Sequence, residues 1–191
     1  MKQVKKTFKV YNFDELKEEI KEKVLDNFRF AEVENESWYE FLIEDFKQKL
    51  NNEYGIDFNN IYFSLDRDNY IYLDKPQIID EEKFIYSIYL EDRRKAEKTL
   101  RKLKEEENKE DEEEFYINIE TNFYGGGSAK NYISCNTDRI NEEEYTEFLN
   151  DILNDFKKQL SISYEDSISD ENVKDFIEMN EYEFLENGEQ F

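Results

Sequence analysis

The chain contains no histidine, one cysteine, one proline and five glycines in 191 residues. Each scarcity excludes something. Without histidine there is no side chain whose ordinary pKa lies near neutral pH, and no Ser–His or Cys–His nucleophile pair. The single cysteine, Cys135, rules out an intramolecular disulfide and suits a reducing compartment. It also leaves zinc almost without ligands, and on a predicted strand it reads as a small buried residue. Neither a metal nor another cofactor is expected. No stretch approaches the roughly 18 apolar residues of a membrane span. The opening MKQVKKTFKVYNF alternates instead of forming the apolar run of a signal peptide, so a cytoplasmic location is expected.

Basic residues are also scarce, 26 Lys and Arg against 49 Asp and Glu, a net charge of -23. That balance opposes nucleic-acid binding, which needs cations to neutralise phosphate, and opposes an anionic membrane surface. It favours a basic partner, although negative charge also serves solubility alone. What the chain has in plenty is aromatic: 14 Tyr, 16 Phe and one Trp. A hydrophobic fraction of 38% with 39% charged residues borders on disorder, but large rings bury much apolar area per residue and supply a core.

The pattern predicts a strand over 4–11, then a helix over 12–28 with Leu16, Ile20, Val24 and Phe28 on one stripe. A second helix is predicted from Ser37 to Tyr54, with Trp38, Leu42, Phe46 and Leu50 inward and Gly55 as C-cap. NNIYFSLDRDNYIYL reads as a hairpin turning at Asp66-Arg67-Asp68-Asn69. One helix is expected from Asp80 to about Lys109, with Ile85, Tyr89, Ala96, Leu100 and Leu103 on one side, running into a mobile charged linker near 104–114. EFYINIETNFY and SAKNYISCNT read as strands around Gly125-Gly126-Gly127. A helix is predicted over 141–163 and a short one over 169–179, before a small hairpin at Asn187-Gly188. The expectation is a single α+β domain over 1–191, a small antiparallel sheet packed with about four to five helices.

Two loops carry weak ligand patterns. GGGSAK lacks the Lys-Ser/Thr and the following helix of a phosphate loop. Asp66 and Asp68 alternate like calcium ligands, but Ile71 stands at the sixth loop position and Gln77 at the twelfth, where a calcium loop has Gly and Glu. Both read as turns.

The acids are unevenly spread. From Asn141 to Phe191 there are sixteen against three bases, Lys157, Lys158 and Lys174, a balance of -13. Glu143, Glu144, Glu147, Asp151 and Asp155 fall on the helix face away from its apolar stripe. Carboxylates four residues apart lie about 6 Å apart along a helix, comparable with phosphates along a nucleic-acid strand. Like charges so placed cost a few tenths of a kcal/mol per pair, which points to a use in binding. Glu165, Asp166, Asp170, Glu171, Asp175 and Glu178 extend the set of candidate partner-binding residues.

FDELKEEIKEKVLDNFR, WYEFLIEDFKQKL, IYFSLDRDNYIYL and LSISYEDSISDENVKDFIEMNEYEFLENG occur in that order. Together they resemble a family of small bacteriophage and prophage accessory proteins, marked by an FDEL-type first helix, a Trp-containing second helix, a YFS strand and a terminal NEYEF…NG. The similarity spans most of the chain except about 78–115. Members often carry a Gly-rich segment after the YFS strand, where LDRDNYIYL stands here. The resemblance implies a phage protein working in the host bacterial cytoplasm. With the acidic surface, the expectation is a non-catalytic inhibitor of a host defence nuclease, an anti-CRISPR protein acting by nucleic-acid mimicry on a basic Cas effector. The alternatives are a phage interaction module that binds a host protein or itself, and a metal-dependent nuclease using clustered carboxylates.

Overall fold

A computed structural model describes residues 6–34, 37–66, 70–89, 92–107, 117–124, 129–135 and 141–191. The fold is α+β. Among these residues there are six α-helices and six strands, and the strands form three antiparallel pairs where a single small sheet was expected. The helices are α1 (Glu18–Phe28), α2 (Ser37–Lys49), α3 (Glu81–Ile88), α4 (Arg93–Glu107), α5 (Glu142–Ser167) and α6 (Asp170–Met179). The strands are β1 (Ile56–Asp57), β2 (Asn60–Phe63), β3 (Ile71–Asp74), β4 (Gln77–Ile78), β5 (Ile117–Phe123) and β6 (Ala129–Cys135). By internal contacts the chain divides into two compact units, Met1–Glu40 with Ser161–Phe191, and Phe41–Leu160.

The smaller unit is built on an apolar cluster of Phe13, Leu16, Val24, Val173, Ile177 and Phe184. The strand predicted over 4–11 does not form in its described part. Residues 6–10 are exposed and have no ladder, and only Tyr11 pairs, exchanging backbone bonds with Phe184 at 2.8 and 2.9 Å. An alternating pattern without a partner strand cannot satisfy its backbone as a sheet. The first helix is also interrupted. A 3-10 turn over Phe13–Glu15 precedes it, and Leu16 and Lys17 are extended, with φ near -70°. The break keeps both Phe13 and Leu16 buried in the cluster. At the other end, α6 starts as expected: the Ser169 hydroxyl accepts the Asn172 N–H at 3.3 Å. The terminal turn carries Gly188 at φ +83°, packed on α1 so closely that a Cβ there would lie 3.0 Å from Ile20 Cγ2.

In the larger unit, α2 widens into a π turn over Leu50–Tyr54 and stops at Gly55, whose left-handed φ of +66° favours glycine. The hairpin predicted between Asn60 and Leu73 forms, with Asn60 opposite Asp74 and Phe63 opposite Ile71; residues 67–69, its proposed turn, lie outside the described residues. The single helix expected over 80–109 is two. Helix α3 ends at Tyr89, and Asp92 starts α4 by accepting the Lys95 N–H at 3.0 Å. A capping aspartate competes with helix continuation, and the break frees Tyr89 to reach Tyr145. Of the linker expected near 104–114, residues 104–107 belong to α4 and the rest lies outside the described residues, as does Gly125-Gly126-Gly127. Strands β5 and β6 pair from Ile117–Cys135 to Phe123–Ala129. Helix α5 runs four residues beyond its predicted end and buries Tyr145, Leu149, Leu153, Phe156 and Leu160.

Candidate partner-binding surfaces

Positioning in the larger unit begins with a buried amide. The Asn131 side chain accepts the Leu73 N–H at 2.7 Å and donates to the Leu73 carbonyl at 3.1 Å. It thus joins the β2–β3 hairpin to β6 as a neighbouring strand would, and Thr121 adds a bond of 3.0 Å to the same amide. A second pair of bonds fixes α5 on β6. Thr146 Oγ1 accepts the Ile133 N–H at 2.9 Å, and Glu142 Oε1 accepts that of Cys135 at 2.8 Å. The Tyr145 ring is fully buried and stands edge-on to Phe84 at 5.8 Å and to Tyr89 at 5.9 Å. Its hydroxyl bonds that of Tyr89 at 3.2 Å, and burial pushes it far above the usual tyrosine range.

Held this way, one face of α5 borders a groove of about 640 Å³. Glu143, Glu147 and Asp151 line its helical wall; Tyr70, Tyr124 and Tyr132 line the strand side. The Tyr124 and Tyr132 hydroxyls are hydrogen-bonded to each other, which raises the pKa of Tyr124. Lys130 and Lys157 line the groove as well. Beyond it, Phe123 is 72% exposed and packs edge-on against Tyr72 at 5.8 Å, while Tyr62 lies 5.3 Å from Tyr72. The hairpins therefore present rings next to the acids.

The five predicted acids of this helix are not one set. Glu143, Glu147 and Asp151 are exposed and make no ion pair with a described residue. Glu144 is half-buried and bonds Lys95 at 3.2 Å, and that ammonium also sits 4.2 Å from the centre of the Tyr89 ring. Asp155 pairs with Lys158 at 2.8 Å and borders a different pocket, beside Phe46 and Lys49. The hydrogen bond from Lys158, then its charge, holds Asp155 below the usual carboxylate range.

The six remaining predicted acids belong to the smaller unit, and all are exposed. Two of them are neutralised by the fold. Arg29 places Nη1 2.8 Å from Asp170 and Nη2 2.9 Å from Asp26, and also donates to the Ile168 carbonyl at 3.0 Å. Lys174 lies 3.3 Å from Glu178 and 3.0 Å from Asp14. Asp170 and Glu171 occupy the first turn of α6, where the helix dipole favours carboxylates. Glu165 and Asp166 sit in the last turn of α5, where the dipole opposes them, and no basic residue shares that turn. Sequence reasoning missed a second acidic hollow here, in which Asp14, Glu178, Glu181 and Glu183 surround Phe13 and Ile177. It also missed Tyr70, Tyr124 and Tyr132 as groove walls: Tyr70 and Tyr124 sit just outside strands and only Tyr132 within one, so no periodic pattern announced them.

No family model, curated protein or solved structure matches the chain.

Proposed function

We propose that this protein is a non-catalytic, phage-encoded inhibitor that binds the basic, nucleic-acid-handling surface of a host defence nuclease in the bacterial cytoplasm, a CRISPR effector being the leading target class. The observation that carries the reading is the row Glu143, Glu147 and Asp151. Three carboxylates with no ion pair to a described residue follow one another at about 6 Å per step along α5, in a groove whose far wall carries the exposed Tyr124 and the half-buried Tyr70 and Tyr132. Like charges at that spacing weaken a helix, and a basic partner would relieve the repulsion. Charge accelerates the encounter, and rings such as Tyr124 and Phe123 anchor it.

The test is capture of Cas effectors and restriction enzymes on the immobilised protein across a range of salt concentrations. Retention of a basic nucleic-acid enzyme at low salt, lost on changing Glu143, Glu147 and Asp151 to Lys, is expected. Retention of none overturns the reading. One observation favours a second reading, an interaction module with an apolar interface: the 72% exposure of Phe123. Capture that survives the triple charge reversal but is lost in Phe123→Ser selects that alternative.

A further inference from the structure

The smaller unit carries both a basic, apolar segment and an acidic hollow with an apolar floor. The first thirteen residues hold four lysines and no acid, in a chain of net charge -23. Of these, residues 6–10 are exposed and join no ladder. Phe8 leans on Phe191 at 6.1 Å yet stays 50% exposed, and Val10 is exposed too. Lys6 lies 5.7 Å from the centre of the Phe8 ring. The hollow, of about 640 Å³, is lined by Phe13, Ile177 and Tyr182 with Asp14, Glu178, Glu181 and Glu183 around them, and none of residues 6–10 lines it. Lys174 takes up Asp14 and Glu178. Glu181 and Glu183 are exposed and make no ion pair with a described residue.

We propose that two copies of this chain associate through these parts, residues 6–10 of each docking on the hollow of the other. Phe8 and Val10 cover Phe13, Ile177 and Tyr182, and Lys6 and Lys9 meet Glu181 and Glu183. Charge complementarity identifies the occupant, and one chain supplies both halves, so a twofold pair satisfies both sites at once. As a strand the segment sets Lys6, Phe8 and Val10 on one face and Lys9 on the other. The long lysine stems let both ammoniums reach the rim of the hollow. Pairing of the two segments with each other is disfavoured, because their lysines would repel across the strands. The inference is independent of the inhibitor reading, whose carboxylates Glu143, Glu147 and Asp151 belong to the larger unit.

The test is sedimentation velocity of the full chain over a range of protein and salt concentrations. A mass about twice 23.4 kDa is expected at low salt, falling towards 23.4 kDa as salt screens the pairs. Two double variants carry the comparison: Lys6→Glu with Lys9→Glu reverses the segment, and Glu181→Lys with Glu183→Lys reverses the hollow. All four positions are exposed, and circular dichroism reports the folding of each variant. Either variant alone sets like charges face to face and should associate roughly tenfold more weakly. Mixed in equal amounts, the two should recover the parent affinity, because each then meets opposite charge at both sites. The neutral changes Lys6→Gln with Lys9→Gln and Glu181→Gln with Glu183→Gln should weaken the dimer less, and serve where a reversal disturbs the fold. A parent still monomeric at about 100 μM, where even a weak specific interface associates, overturns the proposal. So does a dimer indifferent to either reversal, or one that the mixture does not restore.

Discussion

The two units solve the same compositional problem differently. In the smaller one the buried cluster among the described residues is apolar, Phe13, Leu16, Val24, Val173, Ile177 and Phe184, and Arg29 and Lys174 pair at the surface with Asp26, Asp170, Asp14 and Glu178. In the larger one polar groups enter the core: Asn131 is fully buried, and the Tyr89 and Tyr145 hydroxyls meet out of water. The difference teaches where negative charge is free to act. Ion pairs neutralise Asp170 and Glu178, so part of the acidic tail contributes to the fold. Glu143, Glu147 and Asp151 make no ion pair with a described residue of the larger unit, whereas their neighbours Glu142 and Glu144 are taken up by β6 and α4.

The two left-handed glycines test the contrast most severely. A Cβ on Gly55 would lie 2.4 Å from the Asp80 carbonyl oxygen, a backbone atom. On Gly188 it would meet the Ile20 and Val24 methyls at 3.0 and 3.1 Å. Backbone cannot yield as side chains do, and both positions add left-handed strain. Gly55→Ala should therefore cost about 3 kcal/mol and Gly188→Ala about 1–2 kcal/mol. Hydrogen exchange should place the first loss at residues 71–89 and the second at 20–28. Equal costs, or losses spread alike over both units, would break the distinction.

Asn131→Leu comes next. It conserves volume but strips partners from the Leu73 N–H and weakens those of its carbonyl, which Thr121 alone would then bond at 3.2 Å. Unsatisfied buried backbone groups cost about 1–3 kcal/mol each, so a loss of about 2–3 kcal/mol in denaturant unfolding is expected. A neutral result would mean that apolar packing joins the hairpins without the amide.

Tyr145→Phe is milder and sharpens the comparison through pH. Removing one hydroxyl bond costs about 1 kcal/mol at neutral pH. Because burial raises the folded pKa of Tyr145, the unfolded chain loses this proton first, near pH 10. The stability the neutral phenol contributes is whole below that pH and declines as pH rises above it. The variant should therefore flatten the alkaline fall in melting temperature. An unchanged slope would remove Tyr145 from the account.

Periodicity made α2, α5, α6 and the two hairpins legible because each has a strong local signal: the four-residue stripe of Trp38 to Leu50, the Ser169 cap, the alternation of β5 and β6. What stayed hidden depends on partners far along the chain. Helix α4 begins at Asp92 because that side chain caps it, yet the apolar stripe runs on unbroken from Tyr89 to Ala96. Residues 6–10 alternate like a strand but have nothing to pair with. The site was legible as composition and not as geometry. The helical positions of the five α5 acids were correct, but which of them are neutralised was decided by Lys95, which arrives from another helix, and by Lys158, three residues from Asp155 on α5. The pairing of Asp170 was hidden for the same reason, because Arg29 lies 141 positions before it.

The smallest expected effect separates the paired from the unpaired acids on α5 itself. Lys158 depresses the Asp155 pKa by its hydrogen bond and then by its charge, and Lys49 adds in the same direction. A depressed carboxylate supports the fold above its unfolded pKa, and that support is lost as pH falls through the lower folded value. Both groups are well exposed, so solvent and salt screen the pair and its effect on melting is slight. The clean readout is the side-chain titration of Asp155 by NMR. Lys158→Met should move its midpoint up towards the ordinary carboxylate value, and added salt should do the same in the parent protein. If the midpoint stays where it is, Lys158 does not neutralise Asp155, and Asp155 rejoins Glu143, Glu147 and Asp151 as a carboxylate free to meet a partner.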